Sequence, residues 1–289
     1  MRELRDRVAV ITGGASGIGR ALAGRLAAEG VRLVLADVEA PLLEKAVSEL
    51  EATGAEAIGI PTDVSSSAEV EALAEAAWSR FGDVHLLCAN AGVMQPVGPL
   101  WERPIEDFAW VFGVNLWGPI HCVRSFVPRM LDAGDPGHVV ITGSMSGLTV
   151  VPGNGAYQMS KYGVVALGET LYLELAETPL GVSVLCPGFT QTGITTSDRN
   201  RPDALRNDDA PPERAVAGGW TGTATDALQA IAKSPEEVAD MVLAAVREER
   251  FWIFTHENAP QRLRTRFERL LEGHNPVLDP SAPGVTTSS

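Results

Sequence analysis

The chain reads as an α/β fold built on a parallel sheet. Short β-branched runs alternate with longer alanine- and leucine-rich amphipathic segments, which is the rhythm of βαβ units. A glycine-rich turn stands between the first run and the first amphipathic segment. An apolar fraction of 45% and a charged fraction of 21% are those of a chain that buries a full core, and 289 residues suffice for one large domain or two small ones.

Residues 8–12 (Val-Ala-Val-Ile-Thr) form the expected first strand. The glycine turn leads into a helix over about 19–29, closed by Gly30. Residues 32–36 are a second strand and 41–53 a helix ending at Gly54. A third strand begins at 57–60, a helix follows over 67–81, and 85–89 is a fourth strand. Residues 105–131 read as one long helix containing Asn115. A fifth strand at 138–142, a helix over 157–177, a sixth strand at 182–186 and a seventh at 251–254 complete the pattern.

Between 189 and 234 the rhythm stops in a stretch rich in Gly, Thr, Asp, Arg and Pro. A linker is one reading. Too little chain follows to build a second core, so a lid over a site is the better one. Residues 1–274 are therefore expected to form one domain that includes this lid, with 275–289 a flexible tail or an arm on another subunit.

A net charge of −14 argues against nonspecific binding to nucleic acid or an anionic membrane. The N-terminus is charged and lacks the apolar core of a signal peptide, and no apolar run approaches the ~20 residues needed to cross a bilayer. A cytoplasmic protein is expected. Cys88, Cys122 and Cys186 are widely separated in apolar stretches, as buried reduced thiols are. His85, His121, His138, His256 and His274 show no metal-ligand spacing, so no metal is expected.

Chemistry is concentrated at the ends of the expected strands. In Thr12-Gly13-Gly14-Ala15-Ser16-Gly17-Ile18-Gly19 the glycines permit a tight turn and let backbone N–H groups approach a pyrophosphate. Any tight βα turn uses glycine too. Asp37 closes the second strand, where a carboxylate accepts both adenosine ribose hydroxyls and repels a 2′-phosphate; the other reading is a helix cap. Neither Ser16 nor Val38 is the basic residue that a 2′-phosphate requires, which favours NAD over NADP. Asp63-Val64 stands at the end of the third strand, either flanking an adenine or capping the next helix. Asn90-Ala91-Gly92 leaves room for a cofactor at the end of the fourth, or simply turns. Asn115 is either a satisfied buried amide or a site residue.

Tyr157 and Lys161 are four residues apart, on one face of a helix. A cation beside a phenol favours the phenolate and makes it a usable acid/base. The same spacing also occurs on solvated helix faces. Ser144 follows the fifth strand, where ligands bind in a parallel sheet, and no Gly-x-Ser-x-Gly elbow surrounds it.

These residues, with Pro187-Gly188-x3-Thr192, occur in the order that resembles the short-chain dehydrogenase/reductase family, from about Val8 to Thr192. The resemblance implies a doubly wound, Rossmann-like three-layer sandwich with a seven-stranded parallel sheet, and an oxidoreductase of alcohols and ketones. It implies Tyr157 as general acid/base, Lys161 lowering its pKa and holding the nicotinamide ribose, Ser144 on the substrate oxygen, and Asn115 holding a water that reaches Lys161. The implied cofactor set is Gly13, Ser16, Gly17, Ile18, Gly19, Asp37, Val38, Asp63, Val64, Asn90, Ala91, Gly92, Thr142, Tyr157, Lys161, Pro187, Gly188, Thr190 and Thr192. It further implies a homotetramer, or a homodimer, with the helices of Asn115 and Tyr157 at one interface.

The leading function is an NAD-dependent alcohol dehydrogenase or ketone reductase. An NADP-using reductase is the alternative, favoured if Arg20 reaches a phosphate, and a non-catalytic cofactor-binding regulator is a third. Val93, Met94, Val97, Met145, Val150, Val151, Phe189 and Trp220 indicate an apolar pocket for a hydrophobic secondary alcohol or ketone, though core packing would also use them.

Overall fold

The computed structural model describes residue 1, residues 3–207, residue 209 and residues 230–278. Seven strands are seen, β1 (Val8–Thr12), β2 (Arg32–Asp37), β3 (Ala57–Pro61), β4 (Leu86–Ala89), β5 (Gly137–Thr142), β6 (Leu180–Cys186) and β7 (Trp252–Phe254). All pair in parallel in the order β3-β2-β1-β4-β5-β6-β7. The order reverses between β1 and β4, which sit side by side with Ile11 opposite Cys88. A doubly wound sheet leaves its ligand crevice outside the carboxyl ends of the strands at that reversal.

The helices are α1 (Gly17–Ala28), α2 (Ala40–Glu51), α3 (Ser67–Phe81), α4 (Ile105–Phe112), α5 (Gly118–Ala133), α6 (Gly155–Glu174), α7 (Pro235–Glu248) and α8 (Ala259–Leu271). Strand side chains alternate between faces, and both faces are covered. Ala9, Ile11, Leu33, Leu35 and Leu185 pack with Leu22, Leu26, Leu43 and Val242 from α1, α2 and α7. Val8, Val10, Val34, Leu87 and Ile141 pack with Leu73, Phe126 and Val164 from α3, α5 and α6. Each large side chain so buried contributes roughly 1.5–3 kcal/mol. The three layers are those of the expected sandwich.

The long helix expected over 105–131 is three pieces. A π-helical turn, Gly113–Trp117, separates α4 from α5, with the Gly118 N–H bonded to the Gly113 carbonyl. Asn115 lies in that turn. A π turn inserts one residue, and such turns concentrate at functional sites.

Two helices lie beyond the expected elements. The buried stripe Val238, Val242 and Val246 of α7 follows a full capping box at Ser234 and Glu237. In α8 only Ala259 is buried, so its apolar face is short. Within the stretch expected to be a lid, short 3-10 turns occur at Gly193–Asn200 and Asp203–Leu205. Residues 208 and 210–229, including Trp220, and residues 279–289 of the expected tail lie outside the described residues. Among the described residues, no helix is long and apolar enough to cross a membrane.

Candidate active site

The site begins with the glycine turn between β1 and α1. Gly13 and Gly17 adopt φ of +64° and +53°, values that side chains disfavour. A Cβ on Gly13 would stand 3.0 Å from Ala91 Cα, so the turn lies directly against the end of β4. Gly19 sits behind the turn, packed on the Gly13 carbonyl, and lines neither of the cavities described below. Ser16 is the N-cap residue of α1, but its hydroxyl makes no capping bond. The helix N-terminus therefore keeps donors for an anion.

Asp37 is braced rather than capping a helix. One carboxylate oxygen accepts the Ala15 N–H at 3.1 Å and the other the Glu39 N–H at 3.1 Å. The carboxylate is thereby aimed across the glycine turn, and each oxygen retains a lone pair. Asp63 holds the Ser65 N–H at 2.9 Å, while Ser66 caps α3.

Asn90 joins three strand ends. Its amide donates to the Thr12 carbonyl at 3.0 Å, its N–H donates to Thr12 Oγ1 at 2.9 Å, and it accepts from the Thr142 hydroxyl at 3.2 Å. Asn115, fully buried, donates to the Val93 carbonyl at 2.9 Å and to Ser160 Oγ at 3.2 Å, and accepts the Val93 N–H at 2.8 Å. It is a satisfied amide behind the cleft wall. Its oxygen nevertheless lies 3.5 Å, and Lys161 Nζ 3.6 Å, from the position a Cβ on Gly92 would take.

Tyr157 and Lys161 share the inner face of α6 and both are buried. Lys161 Nζ donates to the Thr142 carbonyl at 2.8 Å and lies 5.7 Å from the centre of the Tyr157 ring. Ser144 Oγ accepts the Ser146 N–H at 3.0 Å and is hydrogen-bonded to the Tyr157 hydroxyl. Burial raises the Tyr157 pKa, only partly countered by Ser144, and pushes Lys161 down to about 8. The phenol thus shifts opposite to the direction expected from its lysine neighbour. Exclusion of water penalises both charged forms and here outweighs their attraction.

Two adjoining cavities meet at these residues. A groove of about 310 Å³ is lined by Gly13, Ser16, Gly17, Ile18, Asp37, Val38, Asp63, Val64, Asn90, Ala91, Gly92, Thr142, Lys161, Pro187, Gly188, Thr190 and Thr192. A larger cavity of about 1230 Å³ is lined by Met94, Met145, Val151, Asn154 and Phe189, among others. Tyr157 and Ser144 line both. Of the other residues expected to form the apolar pocket, Val93 faces the groove, Val97 is buried outside both cavities and Val150 is exposed outside both. Arg20 lies on the larger cavity, paired with Glu49 at 3.0 Å, and not on the groove.

Several site residues have no signal in the sequence. Gln95 Oε1 accepts the Tyr157 N–H at 3.1 Å, taking the capping role that the N-cap residue Asn154 leaves. Glu39, Arg199 and Asn200 line the groove, and Arg199 and Asn200 both donate to Glu39. Their separation in the chain hides them.

Asp83, His85 and Asp135 also converge, with ligand atoms within 4.8 Å of one another. The Val8 N–H donates to His85 Nδ1 at 3.2 Å, so the neutral ring carries its proton on Nε2, the atom that faces the carboxylates. A metal there would have to displace that proton, and the cluster is not read as a metal site. The three cysteines are free and buried, and burial pushes each thiol up to about 12.

The chain is similar to known proteins. Residues 7–203 match the family model of the short chain dehydrogenases. A 1-deoxy-11-beta-hydroxypentalenate dehydrogenase from Streptomyces avermitilis is 38% identical, over 99% of this chain and 98% of its own. A CLA biosynthesis dehydrogenase/reductase from Lactiplantibacillus plantarum is 30% identical, over 94% of this chain and 95% of its own. The crystal structure of a short chain dehydrogenase/reductase from Burkholderia phymatum in complex with NAD superposes with a TM-score of 0.89 at 44% identity, covering 97% of this chain and all of that one. With its reversed parallel sheet, glycine turn and Ser144, Tyr157 and Lys161 in one cleft, this chain belongs to the short-chain dehydrogenase/reductase family.

Proposed function

We propose that this oxidoreductase of CH–OH groups interconverts a hydrophobic secondary alcohol and its ketone with NAD, using Tyr157 as general acid/base. The observation that carries the reading is the seam: Tyr157 and Ser144 border both the groove and the larger cavity, beside Pro187, Gly188, Thr190 and Thr192. A substrate in one compartment and a cofactor in the other would meet at these two side chains.

The groove fits a dinucleotide. Gly13 and Gly17 keep its floor free of side chains, and Ser16 leaves the first turn of α1 available to a pyrophosphate. Asp37 offers its remaining lone pairs to ribose hydroxyls and would repel a 2′-phosphate, with Val38, Asp63 and Val64 beside it. At the other end Thr190 Oγ1 is buried with no partner, an orphan suited to a carboxamide, near Pro187, Gly188 and Thr192. NAD held there would supply the redox chemistry, as acceptor or donor of the hydride at the carbinol carbon.

The chain's own residues handle the proton. Tyr157 removes it from the alcohol, or returns it to the ketone, while Ser144 holds the substrate oxygen so that charge does not build up unsupported. Lys161, anchored on Thr142, opposes part of the burial that disfavours the Tyr157 phenolate and reaches a ribose. Asn115 holds Val93 and Ser160 in place behind them. Met94, Met145, Val151 and Phe189 supply the apolar wall for the substrate. The Streptomyces relative is named for a hydroxylated compound, in keeping with an alcohol substrate.

Exposed Trp117, Met159, Tyr172 and Leu173 on the site-bearing helices give apolar surface for a homotetramer or homodimer. The test of the reaction is Tyr157→Phe with a panel of apolar secondary alcohols, followed by nicotinamide absorbance. NAD binding should persist while turnover falls by several orders of magnitude; turnover near that of the unmodified protein would remove the proposal.

A further inference from the structure

The loop after β6 is tied down on both sides of the groove. On one side Arg201 Nη2 lies 2.7 Å from Asp107 Oδ1 and the guanidinium sits 4.5 Å over the Trp110 ring. Ser197 Oγ accepts the Met94 N–H at 3.0 Å. Arg201, Asp107, Trp110 and Ser197 are all buried. On the other side the same loop reaches the end of β2. Arg199 Nη2 and Nε donate to Glu39 Oε1 and Oε2 at 2.6 and 3.3 Å, and Asn200 Nδ2 donates to Oε1 at 2.8 Å. Glu39 is two residues beyond Asp37, and Asp37, Val38, Glu39, Arg199 and Asn200 line the groove together.

The two attachments differ in kind. The Arg201–Asp107 contact is shut away from water and from salt. Arg199 and Glu39 have side chains 40% and 20% exposed, so salt weakens their pairing. It is still well made: the Arg199 hydrogen bond holds the Glu39 carboxyl below its ordinary range against the opposing effect of burial. Arg199 Nη1 also donates to the Thr196 and Gly193 carbonyls at 2.9 and 3.3 Å, bracing the short turn that carries it. The loop is held by a buried contact at residue 201 and by a partly exposed one at Glu39.

We propose that Glu39, Arg199 and Asn200 form a latch across the Asp37 end of the groove, acting as positioning residues that set the rate of cofactor release. The proposal rests on the reading of the groove as the NAD site. A dinucleotide seated against Asp37 and Val38 then leaves only when the latch opens. Where release limits turnover, opening the latch speeds turnover as well.

Stopped-flow fluorescence of NADH release from the intact protein tests this, comparing Glu39→Gln, Arg199→Met and the charge-swapped double variant Glu39→Arg/Arg199→Glu at low and high NaCl. Release should quicken by about 3- to 10-fold in each single variant. Salt should quicken release from the unmodified protein and not from the single variants, and the swap should restore part of the slow release. A merely structural role would move neither the salt response nor the swap. NADH that binds normally but leaves both single variants at the unmodified rate, or a quickening that persists unchanged across salt, overturns the latch alone. Failure of the unmodified protein to bind NADH overturns the cofactor reading and the latch with it.

Discussion

Gln95 holds Tyr157 by its backbone: the side-chain oxygen accepts the Tyr157 N–H at 3.1 Å, across 62 positions of sequence. This bond caps the third residue of α6 from the loop after β4, so it ties the strand end that faces the groove to the helix bearing Tyr157. Gln95→Ala should cost about 1 kcal/mol of stability, the usual value of a lost cap. It should lower kcat about tenfold with little change in NAD affinity, because Tyr157 is displaced rather than removed. Thermal unfolding and steady-state kinetics check both; unchanged kcat would mean that α6 is positioned without Gln95.

Lys161 should titrate near 8 in the folded protein, against about 10.5 when unfolded. Between those values the unfolded chain binds the extra proton, so this group makes stability rise with pH across the window and lowers it below pH 8. Lys161→Met should flatten that rise and raise stability at neutral pH while abolishing turnover. Denaturant midpoints from pH 7 to 10 give the slopes, and equal slopes in the two proteins would refute the assignment.

His138 should govern part of the acid response. It is fully buried on β5, with Nε2 2.8 Å from Ser183 Oγ, and burial pushes its pKa down to about 4. Its folded pKa lies below the unfolded value of about 6.5, so the unfolded state takes up the proton first. Stability is lost as pH falls from about 6.5 toward 4, by on the order of 3 kcal/mol at most. His138→Gln, which keeps a partner for Ser183, should move the acid-unfolding midpoint to lower pH. A midpoint that stays in place would assign the acid response to other groups.

The two ends of the loop after β6 should respond differently to mutation. Asp107 lies between Arg103 Nε at 3.5 Å and Arg201 Nη2 at 2.7 Å, with all three side chains buried. Asp107→Ala leaves two guanidinium groups in the interior without it and should cost about 3–5 kcal/mol. Arg199→Met, at a half-exposed pair, should cost no more than about 1 kcal/mol. Chemical denaturation of both variants decides the matter, and equal losses would contradict a firm anchor at one end and a weak fastening at the other.

Legibility tracks locality. The glycine turn, Asp37, Ser144 and the Tyr157/Lys161 pair announce themselves because strand, turn and helix chemistry is written in a few contiguous residues. Asn115 was ambiguous for a physical reason: a π turn uses the same residues as a helix, and only the bonds to Val93 and Ser160 distinguish a satisfied amide from one free to bind. The direction of the Tyr157 shift was equally hidden, because spacing shows the cation but not the burial that opposes it.

Sequence alone was enough for the parallel α/β architecture, the family and the order of its motifs, since periodicity, caps and tight turns are local properties of the chain. Which residues close the groove depended on topology. The crossovers of a doubly wound sheet bring Gln95 to Tyr157 and Arg201 to Asp107, and they carry Arg199 to Glu39 across 160 positions. No local pattern encodes such a meeting, because each partner is an ordinary surface or loop residue until the sheet assembles and sets the strand ends side by side.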